Sequence, residues 1–156
     1  NDEFAKTLGM EDLKSLKSAV FDQITKLVAS SSLSFYKALE VGVPGLSLQL
    51  VHNYGAAYGI FQNQRLFLTA VGVIVVVGSV VFQRHIIQSS YSRIGLVFLL
   101  GGALGNLIDR IRLGYVVDFI DIKLFPVFNF ADVFIDIAIG CFILELIDGF
   151  KSSKRA

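Results

Sequence analysis

The chain has 156 residues, of which 54% are hydrophobic and 17% are charged, and its formal net charge is +1. Its mean hydropathy of +0.65 lies well above that of an ordinary soluble domain, so the composition predicts an integral membrane protein. The small net charge, with no basic stretch in the sequence, argues against a nucleic-acid-binding protein.

The first helix is predicted over residues 1–29, and it is more polar than a membrane span normally is. Charged residues such as Glu11, Lys14 and Lys17 interrupt it, and each charge at the centre of a span costs about 2.5–3.5 kcal/mol. We therefore expect an amphipathic helix that lies in the membrane interface or against the other helices rather than spanning alone. Its apolar stripe consists of residues at helical spacing, namely Leu13, Leu16, Val20, Ile24 and Leu27.

Residues 30–63 are predicted to form an extracytoplasmic loop that contains a short strand. The segment begins with a run of serines, and Pro44 followed by Gly45 is a turn signal. After the turn, Leu46, Leu48 and Leu50 alternate with other residues, which is typical of a strand outside the membrane.

Transmembrane helices are predicted over residues 64–83, 94–113 and 132–150. The first contains 18 uncharged residues, and at about 1.5 Å per residue these cover roughly the hydrocarbon core of a bilayer. The last carries Asp136 and Glu145, which is unusual for a span. Residues 1–156 are therefore expected to form a single all-α membrane domain, a bundle of about four transmembrane helices with a small extracytoplasmic β element.

Positive residues predict the orientation of this bundle. Lys and Arg collect in the connection 83–93 and in the tail after Phe150, and such short segments stay on the cytoplasmic side. The connection 114–131 then faces the opposite side, in a multi-pass topology. Three carboxylates, Asp109, Asp118 and Asp132, stand there beside Val, Ile, Leu or Phe residues. Ionisable groups in such surroundings indicate a functional site near the extracytoplasmic face.

The remaining reactive residues give little support to other kinds of site. His52 and His85 are expected on different elements and Cys141 is the only cysteine, so no metal-binding spacing is present and neither a metal nor another cofactor is expected. Cys141 is interpreted as a small buried apolar residue. The glycines of the second span are more typical of close helix packing than of a phosphate-binding loop, and they are Gly101, Gly102 and Gly105.

Four motifs occur in order along the chain, VHNYGAAY (51–58), GALGNLIDR (102–110), VVDF (116–119) and FPVFNFAD (125–132), preceded by DQITK (22–26). By these motifs the chain resembles the lipoprotein signal peptidases, also called signal peptidase II, over roughly residues 22–149. The resemblance implies a bacterial inner-membrane aspartyl protease of four transmembrane helices. Such an enzyme removes the signal peptide of prolipoproteins on the amino side of a diacylglyceryl-modified cysteine. Residues 10–21 depart from the family pattern, in which the first helix is apolar up to the Asp22 motif.

By the same resemblance, Asp118 and Asp132 are the catalytic pair. Two carboxyl groups held close together share a proton, so one can act as a base on water while the other acts as an acid toward the developing oxyanion. The sequence does not assign the two roles. Asp136 adds a third carboxylate one helical turn beyond Asp132, and we expect it to face a polar groove.

The resemblance also assigns residues to substrate binding or support. Gly55 and Ala56 are small enough for a substrate backbone to approach, and Asp109 with Arg110 is expected to form an internal ion pair or a helix-end anchor. Three asparagines are expected to hydrogen-bond the substrate or the aspartates, although asparagine also commonly caps helices, and they are Asn53, Asn106 and Asn129.

Two alternatives remain open at this point. One is a homologue that binds prolipoproteins without cleaving them, and the other is a small proton-coupled carrier that uses the carboxylates as a relay. The carrier leaves the NYGAA segment (53–57) and the extracytoplasmic strand without a role. For the peptidase, the expected partners are lipid-modified prolipoproteins and membrane lipid, with no nucleic acid, and the chain is expected to be a monomer.

Overall fold

The computed structural model describes residues 2–56 and 59–153. Within those ranges the helices are α1 (Asp2–Ser32), α2 (Arg65–Ile86), α3 (Ser90–Arg112) and α4 (Phe130–Ser153). The strands are β1 (Leu39–Glu40), β2 (Leu46–Asn53) and β3 (Val116–Ile122), which form one sheet in the order β1-β2-β3. Ala57 and Tyr58 of the 51–58 motif lie outside the described ranges, as does the end of the basic tail, residues 154–156.

α3 lies at the centre of the helix bundle and packs against α1, α2 and α4. Glycine residues on α3 allow α1 and α4 to approach α3 closely. A Cβ atom at Gly101 would meet the side chain of Ser18 and the backbone of Ser15 on α1, and one at Gly102 would meet the carbonyl group of Ala131 on α4. The prediction that these glycines serve close helix packing is confirmed.

Side chains fix both ends of α3. At its start, Ser89 Oγ accepts from the Ser92 N–H at 3.1 Å and Ser92 Oγ accepts from the Ser89 N–H at 2.9 Å, a capping box that begins the helix before the predicted residue 94. At its end, Arg65 donates to the carbonyl oxygens of Arg110 and Ile111, each at 3.1 Å. The side chain of the first residue of α2 therefore caps the carboxyl end of α3, because it binds carbonyl oxygens of the last turn.

α1 packs against α3 with its polar face. The apolar stripe predicted from the sequence is present, but it faces away from the protein, since Leu13, Leu16, Val20, Ile24 and Leu27 are each more than half exposed. Over residues 9–32, where burial is described, the buried side chains lie on the opposite face, and they are Glu11, Ser15, Ala19, Asp22, Lys26 and Ala29. The polar residues of α1 are thus directed at the other helices.

Two helices in the described part of the chain, α2 and α3, are long and apolar enough to cross a membrane. α4 has 24 residues and a comparable length, but it carries four acidic residues, Asp132, Asp136, Glu145 and Asp148. α1 has 31 residues and includes the charged stretch described above.

The sheet includes a segment that the sequence predicts to be a plain connection. β3 pairs antiparallel with β2, with Asp118 opposite Val51 and Val116 opposite Asn53. The expected fold of about four helices with a small β element is confirmed in part: within the described residues there are four helices and a small sheet, but the segment of Asp118, expected to be a loop, forms a second long strand of that sheet. The first four residues of β3 are all buried, so the strand shows no alternation of polar and apolar positions that would reveal it.

The packing of α3 against α4 predicts the effect of adding one methyl group. Gly102→Ala should lower the free energy of unfolding by about 1–3 kcal/mol, because the new Cβ would overlap the Ala131 carbonyl oxygen and lie 2.8 Å from Ile135 Cγ1. Gly78→Ala is the matched control on α2, where a Cβ would meet nothing within 4 Å. Thermal unfolding of both variants in detergent measures the difference, and equal midpoints would contradict the described packing.

Candidate active site

Asp118 and Asp132 lie on different elements and are joined by Asn129, which immediately precedes α4. Asn129 Nδ2 donates to Asp118 Oδ1 at 2.7 Å, and the Asn129 backbone N–H donates to Asp132 Oδ2 at 3.1 Å. Asn129 Oδ1 in turn accepts from the Asp132 N–H at 3.0 Å, which completes a reciprocal cap on α4. The residues that begin the helix are therefore the same residues that hold the two carboxyl groups together.

Two further asparagines donate to the same carboxyl groups. Asn53 Nδ2 donates to Asp118 Oδ2 at 3.0 Å, while Asn53 Oδ1 accepts from the Gly55 N–H at 2.9 Å. Asn106 Nδ2 donates to Asp132 Oδ1 at 2.9 Å. Each of the four carboxyl oxygens thus accepts a hydrogen bond from a nitrogen. All three predicted asparagines meet at the pair of aspartates.

Burial and the neighbouring charge change the acidity of Asp118. Burial of this strand residue is the main cause, and the charge of Asp132 adds to it, so that together they raise the pKa of Asp118 to about 7. Hydrogen bonds from Asn53 and Asn129 act in the opposite direction. Near neutral pH the pair can therefore hold one proton between two carboxyl groups, which is the state that acid–base hydrolysis of a peptide requires.

A buried ion cluster lies behind the pair. Lys26 Nζ is 2.8 Å from Asp22 Oδ2 and 3.0 Å from Asp109 Oδ2, and it donates to Asn106 Oδ1 at 3.0 Å. Asp109 Oδ2 also accepts from the Val117 N–H at 3.0 Å, one residue before the first catalytic candidate. The sequence predicts Asp109 with Arg110 as an internal ion pair or a helix-end anchor; an internal ion pair is present, but the partner of Asp109 in it is Lys26 of α1.

The candidate residues chosen from the sequence omit α1 altogether, although α1 contributes to this cluster. Asp22 Oδ1 accepts from the Ala131 N–H at 2.8 Å, and Gln23 Nε2 donates to Asp109 Oδ1 at 2.8 Å. The signal that would have revealed this was Asp22 with Lys26 at a spacing of four residues, both on the face opposite the apolar stripe.

The predicted small residues form a turn beside the pair. Gly55 is buried, and a Cβ atom there would lie 2.8 Å from both Gln62 Nε2 and the Ile60 carbonyl oxygen. The Ala56 N–H donates to that same carbonyl at 2.8 Å. Arg110 Nη2 donates to the Gly55 carbonyl oxygen at 3.3 Å, so α3 anchors the turn. Arg110 also interacts favourably with the charges of Asp118 and Asp132.

A cleft of about 360 Å³ opens onto Asp118 between the sheet and this turn. Its lining includes Val51, Asn53, Ala56, Pro126 and Val127. The walls thus combine small and apolar side chains with polar and aromatic ones and with the carboxyl group of Asp118, a composition typical of ligand-binding clefts.

Other residues singled out in the sequence do not contact the carboxyl groups of the two aspartates. His52 lines the cleft and stacks on Tyr115 with ring centroids 3.8 Å apart, and burial lowers the pKa of His52. Asp136 is exposed on α4 and does not line the cleft. Cys141 is half-buried rather than fully buried, and it faces Gly95 of α3.

Comparisons with known proteins agree with this architecture. A family model described as signal peptidase (SPase) II matches residues 15–148. A lipoprotein signal peptidase from Caldanaerobacter subterraneus subsp. tengcongensis is 43% identical over 135 residues, which cover 86% of this chain and 92% of that protein. One from Ectopseudomonas mendocina is 40% identical over 155 residues, which cover 92% of this chain and 89% of that protein.

A solved structure described as a bacterial membrane enzyme, obtained by the in meso method, has a TM-score of 0.83 and 31% identity to this chain. The match covers 92% of this chain and 91% of that one. A second structure with the same description has a TM-score of 0.76 and 32% identity, and it covers 88% of this chain and 92% of that one. From the matched family and from relatives of this identity over nearly their whole length, the chain belongs to the signal peptidase II family.

Proposed function

We propose that this member of the signal peptidase II family cleaves prolipoproteins by an aspartyl mechanism in which Asp118 and Asp132 are the catalytic carboxyl groups. The observation that carries the proposal is the joining of both groups by Asn129, together with a cleft of about 360 Å³ that Asp118 lines. The bond cleaved is the one on the amino side of the diacylglyceryl-modified cysteine. The family match favours this activity over a non-cleaving homologue and over a proton-coupled carrier.

The surroundings of the two carboxyl groups support different roles for them. Asp132 lies in the first turn of α4, where the helix dipole favours a negative charge, and it accepts the Asn129 N–H. Asp118 lies on a strand, and its raised pKa keeps it protonated up to about pH 7. Asp132 is therefore the base that removes a proton from the attacking water, and Asp118 is the acid that donates to the developing oxyanion.

The supporting residues hold this arrangement and the substrate. Asn53, Asn106 and Asn129 fix the carboxyl groups, and Arg110 holds the Gly55–Ala56 turn against α3. A substrate backbone can approach this turn closely because Gly55 has no side chain and that of Ala56 is a single methyl group. The proposed partners are lipid-modified prolipoproteins and membrane lipid, with the chain acting as a monomer.

The proposed location is the bacterial inner membrane, with all four helices spanning it and the site near the extracytoplasmic face. The outward faces of α1 and α4 support this topology, because large apolar side chains predominate on them and Asp22, Lys26 and Asp132 are directed inward, although Lys17 on α1 and Asp136 on α4 are exposed. On the described part of α4 the exposed large apolar residues are Ile137, Ile139, Ile143, Leu144, Leu146, Ile147 and Phe150.

Replacing either carboxyl group by an amide tests the catalytic pair. Asp118→Asn and Asp132→Asn should each lower kcat by about 10²–10⁴-fold or more, because an amide cannot exchange the proton, while substrate binding persists. Asp136→Asn is the matched control on α4 and should change kcat little. Cleavage of a lipid-modified prolipoprotein by detergent-purified protein measures the effect. Near-normal turnover by folded Asp118→Asn would refute the assignment, and wild type that binds but never cleaves would support the non-cleaving alternative.

The acidity of Asp118 predicts the pH dependence of cleavage. Because Asp118 acts in its protonated form and its pKa is about 7, kcat/KM should fall as the pH rises above about 7. Initial rates between pH 5 and 9 check this, with Asp136→Asn showing the same profile as wild type. A rate that stays constant through pH 9 would show that Asp118 is not the acid.

Thiol labelling tests the four-helix topology. In a Cys141→Ala background, single cysteines at positions 16, 20 and 24 of α1 should resist a membrane-impermeant reagent, because lipid covers this face. A cysteine at Ser34, in the loop after α1, should react in intact cells, whereas one at Ser89, between α2 and α3, should react only after the membrane is permeabilised. Labelling of all three α1 positions in intact cells would place α1 outside the membrane core.

A further inference from the structure

Lys26 is a buried lysine whose three contacts use its full donor capacity. Its side chain is 3% exposed, and its ammonium group reaches the carboxylates of Asp22 and Asp109 and the amide oxygen of Asn106. An ammonium group has three N–H donors and no acceptor. The two carboxylates already balance the charge of Lys26, so its third bond, to the neutral amide of Asn106, is an additional interaction with the catalytic region.

This third bond determines which end of the Asn106 side chain faces Asp132. Because Lys26 only donates, it binds the amide oxygen, and the NH2 group of Asn106 is left to donate to Asp132 Oδ1 at 2.9 Å. Asn129 Nδ2 binds the same amide oxygen at 3.1 Å. That second bond is one of three made by the Asn129 NH2 group, which also donates to Asp118 Oδ1 at 2.7 Å and to the Val117 carbonyl oxygen at 3.3 Å. The lysine bond is charge-assisted, and the lysine cannot present an acceptor in any orientation.

We propose that Lys26 is a positioning residue of the peptidase: by binding the Asn106 oxygen it keeps the Asn106 NH2 group on Asp132 and so holds Asp132 as the ionised base. The proposal rests on the aspartyl mechanism given above. In the reversed amide orientation, the Asn106 oxygen would face Asp132 Oδ1, and a carboxylate facing an amide oxygen is stabilised only when it carries a proton. A protonated Asp132 cannot accept the proton of the attacking water.

Lysine replacements separate this role from a purely structural one. Lys26→Met should lower kcat by about 100-fold with KM nearly unchanged, because the base is misoriented while the cleft is intact. Lys26→Arg keeps a charge and donors and should restore most of kcat. Lys17→Met is the control, since Lys17 is an exposed lysine on the same helix. Cleavage of a lipid-modified prolipoprotein in detergent gives both constants.

A double-mutant cycle with Asn106→Ala tests whether Lys26 affects kcat through Asn106. If Lys26 acts through Asn106, Lys26→Met should change kcat by no more than about 2-fold once Asn106 is alanine. If it acts by charge alone or by general stability, the two losses should multiply, and this result would overturn the proposal. An unchanged kcat in folded Lys26→Met protein would overturn it as well.

Removing Lys26 leaves two buried carboxylates without a cation, so folding is controlled separately. If Lys26→Met protein does not fold, the same cycle is measured in an Asp22→Asn background. There the loss of the lysine charge is balanced by the loss of the Asp22 charge, so the cluster keeps the net charge that it has in wild type. Asp22→Asn alone is then the reference. The underlying aspartyl mechanism fails only if Asp118→Asn or Asp132→Asn remains active. If the losses in kcat multiply while both of these aspartate variants are inactive, the positioning role of Lys26 is refuted and the aspartyl mechanism is retained.

Discussion

A side-chain amide donates from one end and accepts at the other, so a buried asparagine has a direction as well as a position. Three such amides surround the two carboxyl groups, and a donor bound to each amide oxygen sets its direction. These donors are the Gly55 N–H for Asn53, Lys26 for Asn106 and the Asp132 N–H for Asn129. Every NH2 group consequently faces a carboxyl oxygen. The donors come from a turn, a helix on the far side of α3 and the first turn of α4, so the whole fold contributes to one electrostatic arrangement.

The ion cluster of α1 shows why the polar face of that helix is directed inward. Breaking a buried ion pair by removing one partner costs about 3–5 kcal/mol, so Asp22, Lys26 and Asp109 have to remain together. Asp22 also accepts from the first turn of α4, through the Ala131 N–H. Gly105 makes room for this carboxylate on α3, since a Cβ atom there would overlap it. The cluster thereby joins α1, α3 and α4 at the level of the site.

The sheet positions Asn53 beside Asp118 and forms part of the cleft, which the helices alone do not do. Pairing of β2 with β3 places Val51 opposite Asp118 and brings Asn53 within hydrogen-bonding distance of it. The same pairing forms one wall of the cleft, and the turn after β2 forms the next. The short sheet thus forms part of the cleft and carries Asp118, whose partner Asp132 lies in the first turn of α4.

The sequence by itself determined the elements whose signal is local. Uncharged runs predicted α2 and α3 and leucine alternation predicted β2, because such patterns reflect short-range geometry and burial. The candidate site residues came from the ordered motifs, through their resemblance to the signal peptidase II family, and the structure brings Asn53, Asn106 and Asn129 to the two aspartates. Only the tertiary structure decided the partners of those residues. The strand that carries Asp118 is buried on both faces and has no periodicity to reveal it. Asp109 bonds to Lys26, 83 residues away, rather than to its neighbour Arg110. A sequence pattern shows that a buried charge needs a partner, but only the packing of α1 on α3 determines which residue that partner is.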